Sequence, residues 1–261
     1  MKAFMVVALF CCLQSCQSQP APELASSKTD NTLLWEISGN GLTKPSYLFG
    51  TFHMMCKDDI HFSPNLLAAL NYAGEVYFEM DLDDPANTLG ALMFMNMKDG
   101  KTLKDLYTPE EFSRLEKYFN DSLRTSLKSF QKMKPTMLSA FLYPKMFPCK
   151  TLSGVEQELM KSAVKSKKEI KGFETIAFQA AVFDSIPYDS QAKNLLNTID
   201  SIGNYKVFFD TMLHVYQSQQ IGEIEEMFTK PEFGMQDGME FLLDKRNANW
   251  VEQLKTILPK Q

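Results

Sequence analysis

The stretch "SYLFGTFHMM", Ser46 to Met55, decides how the rest of the chain is read. A short apolar run ends on Gly50, and Thr51 and Phe52 then lead to His53, one of only three histidines in 261 residues. An apolar run bounded by turn residues reads as a strand. Upstream, "LLWEIS" (Leu33 to Ser38) reads as a second strand and "NGLTKP" as the turn between them, so the two are expected to form a hairpin. His53 then falls just past a strand end. That position suits a metal ligand or an acid–base group at a sheet edge, and equally a polar residue in a turn.

Downstream, "SPNLLAALNYAG" reads as a helix with Ser63 as N-cap, Pro64 at the first helical position and Gly74 as the stop. "EVYFEMDL" (Glu75 to Leu82) follows as a strand, with Val76, Phe78 and Met80 on one face and Tyr77, Glu79 and Asp81 on the other. The acidic run Asp81 to Asp84 reads as a solvated turn, with Asp83 or Asp84 capping a helix in "DPANTLGALMFMNM". "TPEEFSRLEKYF" opens with a Thr cap, Pro109 and first-turn Glu residues, as helices do. "KPTMLSAFLYPKMF" is helical up to Pro144. "SGVEQELMKSAVKSKK" is an amphipathic helix leading into a strand, "EIKGFE". From Thr175 onward the chain reads as helices only, the last being "GMEFLLDKRNANWVEQLKTIL". Strand, helix and strand in alternation point to an α/β fold, bordering on α+β: a central mixed sheet flanked by helices, with a large helical middle and helices at the C-terminus.

Composition is that of a globular domain, 44% hydrophobic and 23% charged. Net charge is −5 and the basic residues are scattered, which argues against nucleic-acid binding, since that needs a basic stripe. The 20 Phe and 16 Met are read as core.

The N-terminus is read separately. One early Lys precedes an apolar stretch from Ala3 to Leu13, too short to span a bilayer and suited to a secretory signal. It ends in "LQSC", Leu13 to Cys16, which resembles the bacterial lipobox, although Gln14 is atypical. The expectation is a signal peptide over 1–16, a lipid on Cys16 that anchors the chain to a membrane of the bacterial cell envelope, and a flexible polar tether over 17–32. Cys56 and Cys149 remain for the mature domain. They are either a disulfide closing a loop of roughly 90 residues, worth about 4 kcal/mol in the chain-entropy model, or two buried thiols.

His53, Glu79 and Glu174 share one type of position, at or near the carboxyl end of a strand, where open α/β sheets place their sites. A histidine and two carboxylates gathered there can bind a divalent metal or act as acid and base. Singly, each also has a plain reading: a turn residue, a solvated edge residue, a helix cap. His61 and His214 are read as structural, the latter within an apolar helical stripe. Arg246 and Asn247, taken alone, read as surface residues of the last helix.

In series, "SYLFGTFHM", "AGEVYFEMDL", "KPTMLSAFL", "GVEQELMKSA", "KGFETIAFQ" and "RNANWVEQL" resemble the TraB/GumN family, which is related to the Tiki proteins. The resemblance covers residues 33–261 and implies a metal-dependent, peptidase-like hydrolase with Mn, Co or Zn and a peptide or protein substrate. By this likeness the first Gly-x-x-His falls on Gly50 and His53. His53 and Glu79 become metal ligands, with Glu79 also a candidate general base, and Glu174, Arg246 and Asn247 join the site, Arg246 to stabilise developing charge. The family usually has Asp where this chain has Glu156, after Gly154 and Val155. It also carries a second Gly-x-x-His after a further strand. No second such motif occurs here, so the expectation is a truncated member, or else a natural short variant, lacking the last strand and helix and the second half of the two-part site, with its activity as written left open. The alternative is a non-catalytic lipoprotein that binds or assembles with a partner.

Overall fold

The computed structural model describes residues 31–81, 94–229 and 240–260. The signal peptide with Cys16, most of the tether, the acidic turn from Asp83 and most of the expected helix over 84–97 lie outside the described residues. Among the described residues six strands form: β1 (Leu34–Ile37), β2 (Ser46–Phe49), β3 (Met55–Cys56), β4 (Glu75–Met80), β5 (Leu152–Ser153) and β6 (Glu169–Glu174). The α-helices are α1 (Pro64–Tyr72), α2 (Pro109–Asp121), α3 (Pro135–Ser139), α4 (Val155–Lys165), α5 (Ile176–Asp184), α6 (Tyr188–Asp200), α7 (Ile202–Gln217), α8 (Ile221–Thr229) and α9 (Lys245–Ile257).

The class is mixed α/β, with helices flanking the strands. The expected single mixed sheet differs in detail: among the described residues the strands pair two by two. β1 with β2 and β3 with β5 are antiparallel, and β4 with β6 is parallel. The hairpin forms at the register Leu34↔Phe49 to Ile37↔Ser46. Parallel pairing of β4 and β6 follows from the helix α4 that precedes β6, since parallel strands need a crossover rather than a tight turn. Their register sets Met80 opposite Glu174 and Phe78 opposite Gly172. Gly172 is required there, because a Cβ would press into the backbone of Met80 and Asp81. The two strand tips, and with them Glu79 and Glu174, are thereby brought side by side.

Helix starts follow local chemistry. Ser63 caps α1 through Leu66 N–H, with Pro64 at the first position. Thr108 and Glu111 form a reciprocal capping box at α2. Leu115 and Phe119, four residues apart on α2, are fully buried with Leu103, Leu127, Leu138, Leu142 and Leu195. The last helix departs from its expected form: Glu240–Asp244 is a π-helical segment, and the α-helix begins at Lys245. His214 also differs from its reading. It lies on the exposed side of α7, while Met212, Leu213, Val215 and Tyr216 face inward.

Cys56 and Cys149 are joined in a disulfide, with Cα atoms 5.8 Å apart. The bond lies beside the short β3–β5 pair, where Lys57 N–H donates to Thr151 O at 3.0 Å. Elsewhere the buried Lys134, on α3's cap, reaches Asp184 at 2.8 Å and Ala180 O at 3.2 Å, so its charge is paired rather than stranded.

Candidate active site

The loop after β2 is pinned from both sides. Gly50 N–H donates to Leu33 O at 2.9 Å, and Gly50 O accepts from Tyr216 Oη at 3.0 Å. Phe52 packs on Tyr216, ring centroids 5.4 Å apart. Phe52 O accepts from Val155 N–H at 3.0 Å, which ties the loop to the start of α4. Gly154 sits directly under the His53 carbonyl, where a Cβ would lie 2.5 Å from the oxygen. Gly154→Ala is therefore expected to force the loop and helix apart, lowering stability by about 1–3 kcal/mol. Urea unfolding checks this, and an unchanged midpoint would count against the contact.

This clamp sets His53 beside Glu156 on the first turn of α4. The His53 Nδ1 to Glu156 Oε1 distance is 2.7 Å, and Thr51 Oγ1 donates to the same oxygen at 2.5 Å. On the other side of the ring, His53 Nε2 lies 3.8 Å from Glu79 Oε1. The Glu156 hydrogen bond raises the His53 pKa above its ordinary 6.5 against the opposing effect of burial. Burial pushes Glu156 up, but its bonds to His53 and Thr51 outweigh this and leave it below 4.5.

The stabilising contribution from His53 is thus fully present below pH 6.5 and lost as pH rises through the raised value. That from Glu156 is present above 4.5 and lost as pH falls through its lowered value. The pair is strongest between the two. In Glu156→Gln the His53 titration, followed by proton NMR of the ring, is expected to move down towards 6.5. A titration that stays where it was would refute the pairing.

At the strand tips, Arg246 from α9 gathers both carboxylates. Its Nη2 donates to Glu79 Oε2 at 2.6 Å and Glu174 Oε2 at 2.8 Å, and its Nε donates to Glu174 Oε1 at 3.0 Å. Nη1 donates to Leu242 O at 3.0 Å. Trp250, one turn further along α9, donates from Nε1 to Glu174 Oε1 at 2.8 Å, and its ring lies 5.0 Å from the guanidinium carbon. Gln179 Nε2 bridges Glu79 Oε2 at 3.2 Å and Glu174 Oε2 at 3.0 Å. Burial disfavours the Arg246 charge, but the bonds to Glu174 and Glu79 prevail and raise its pKa.

The structure therefore brings together His53, Glu79, Glu174 and Arg246, with Gly50 in the supporting loop. Asn247 is exposed on α9 and makes none of these contacts. The geometry differs from the expected roles of Arg246 and Glu174. The nitrogens of Arg246 are engaged by protein oxygens, and the Glu174 side chain is 1% exposed, so the two form a clamp rather than free catalytic groups. Thr51, Gln179 and Trp250 were not legible as members, and Glu156 was marked only by the resemblance, as standing where the family usually has Asp. Only the i, i+4 spacing of Arg246 and Trp250 hinted that they share a helix face.

Among the described residues no three His, Cys, Asp or Glu side chains converge as a metal cluster. The nearest donor pair is His53 Nε2 and Glu79 Oε1, 3.8 Å apart. In kind, an imidazole and a carboxylate are donors that first-row divalent metals accept, and His53 and Glu79 would be the residues to hold such an ion.

The TraB/PrgY/gumN family model matches residues 33–261, and the chain belongs to this family. Among similar proteins, "Metalloprotease TIKI1" of Danio rerio is 32% identical over 114 residues, covering 43% of this chain and 22% of that protein. "Metalloprotease TIKI2" of Xenopus tropicalis is 35% identical over 98 residues, covering 36% of this chain and 18% of that protein. The match thus spans about a fifth of each relative's length. No solved structure matches the chain.

Proposed function

We propose that the chain is a lipid-anchored hydrolase of the bacterial cell envelope that cleaves a peptide or related amide bond with a divalent metal held by His53 and Glu79. The observation that carries this is the pair His53 Nε2 and Glu79 Oε1, facing each other at 3.8 Å while Arg246 holds the other Glu79 oxygen. The metalloprotease names of the similar proteins support the same reading. When bound, such an ion supplies Lewis acidity and a water that ionises near neutral pH. Arg246 holds Glu79 Oε2, which leaves Oε1 on the side of His53. Glu174, as buried counter-charge, keeps Arg246 in place, and Gln179 and Trp250 complete the bonding of that pair. Anchoring rests on the lipobox-like Leu13 to Cys16 and the polar segment after it.

The test is to incubate the purified protein with Mn²⁺, Co²⁺ or Zn²⁺ and a mixed peptide substrate. About one equivalent of bound metal and metal-dependent cleavage are expected, as a catalytic ion with an open position provides. His53→Ala is expected to lose both. Equal cleavage by wild type and His53→Ala overturns the reading. A second reading, a non-catalytic lipoprotein that binds or assembles with a partner, is favoured by the small number of metal donors among the described residues. Its signature is no bound metal and no turnover.

A further inference from the structure

We propose that Glu156 is the positioning residue of His53: by accepting the Nδ1 proton it holds the neutral imidazole in one tautomer and one orientation, with the Nε2 lone pair turned towards Glu79. This rests on the reading of His53 and Glu79 as the working pair, but its principal test does not need catalysis.

Several independent features converge on it. The carboxylate oxygen that meets His53 at 2.7 Å also receives the Thr51 hydroxyl, so two donors fix its position. The Glu156 side chain is 13% exposed against 75% for the imidazole, so the carboxylate is the fixed partner and the ring is the group being oriented. The backbones behind the two groups are locked together. Val155 N–H bonds to Phe52 O, and Gly154 leaves no room between the helix start and the His53 carbonyl. No local sequence preference could produce this contact, because Thr51 and Glu156 are 105 residues apart in the chain.

The chemistry depends on which nitrogen carries the proton. A neutral, exposed imidazole in water carries it mainly on Nε2. In that tautomer His53 would aim an N–H at Glu79 Oε1, and the pair would close as a donor and an acceptor with nothing between them. With the proton on Nδ1 and shared with Glu156, Nε2 is an acceptor facing a second acceptor. Two converging lone pairs call for a cation or an electrophile between them. Carboxylate partners of this kind orient metal-binding histidines generally, and their loss costs about 10–100-fold in metal affinity.

The test uses the full chain, metal-free and labelled with ¹⁵N, at a pH above the imidazole titration. Long-range ¹H–¹⁵N correlation spectra distinguish the tautomers, and the exposed His61 and His214 serve as internal references. His53 is expected to carry its proton on Nδ1, unlike the references. Glu156→Ala is expected to return it to Nε2–H. Glu156→Gln, whose amide oxygen still accepts, is expected to keep Nδ1–H. In a parallel titration, Mn²⁺ affinity is expected to fall by about 10–100-fold in Glu156→Ala and by less in Glu156→Gln. Circular dichroism confirms folding of each variant. Wild-type His53 with its proton on Nε2, or a tautomer unchanged in folded Glu156→Ala, overturns the proposal. If the tautomer behaves as expected but Mn²⁺ does not bind, positioning stands and the metal reading falls. If Mn²⁺ binds wild type while His53 carries Nε2–H, the metal reading stands and positioning falls.

Discussion

Arg246→Ala is expected to lower the stability of the fold by about 3–5 kcal/mol, the usual cost of leaving a buried charge without its partner. The Glu174 side chain is 1% exposed, and its oxygens accept from Arg246, Trp250 and Gln179. Removing the guanidinium leaves a carboxylate that water cannot reach, next to a second one on Glu79. Arg246→Lys is expected to recover only part of the loss, because an ammonium cannot present the planar fork that meets Glu174 through Nε and Nη2 together. The double variant Arg246→Met, Glu174→Leu is expected to cost much less than Arg246→Ala, since it removes both charges at once. Urea unfolding of the set decides this. If Arg246→Ala unfolds within about 1 kcal/mol of wild type, as an exposed pair would, the clamp is a surface feature and α9 is not held by it.

Removing the Cys56–Cys149 disulfide is expected to cost about 4.6 kcal/mol in the chain-entropy model, because it closes a loop across a separation of 93 residues. The measurement is the melting temperature of Cys56→Ser, Cys149→Ser against wild type, with the reduced wild type as a second comparison. Cys56 lies three residues beyond His53, and β3 pairs Met55 with Ser153, the residue before Gly154. Loss of the bond is therefore expected to loosen the contact of His53 with Glu156 as well as the fold. A shift smaller than about 1 kcal/mol would mean that the local strand pairing holds these segments without the cross-link.

Many of the elements could be read from residues a few positions apart. Ser63 with Pro64, and Thr108 with Pro109 and Glu111, announce α1 and α2 because capping is satisfied within one turn. The alternation in "EVYFEM" announces β4 and the side on which Glu79 lies. His53, Glu79 and Glu174 were legible as candidates because strand ends are a position type. Their spacing in the sequence carries no distance, so their convergence was not legible. β3 and β5 were missed, since a two-residue strand has no periodicity to detect. The exposed placement of His214 was missed as well, because a helical stripe in the sequence is wide enough to contain residues at its margin.

Glu156 shows the same division. By its local setting it is one acidic residue in the first turn of a helix, where such residues are common, and only the resemblance marks it, as standing in place of the family's Asp. Only the close fit of Gly154 beneath the His53 carbonyl makes it a partner of the imidazole. Arg246 is the converse case. Its local setting on an amphipathic helix suggested a surface residue, and the fold instead buries it between two carboxylates supplied by separate strands.

By itself the sequence determined the helices, the longer strands, the mixed α/β class and the residue types available for chemistry. These follow from capping, side-chain periodicity and turn preference, which act over a few residues. Tertiary structure alone decided that the strands pair two by two, that Arg246 and Glu174 neutralise each other, and that Glu156 holds His53. Those outcomes depend on close backbone approach at Gly154 and Gly172 and on the burial of charge, both set by contacts between segments far apart in the chain.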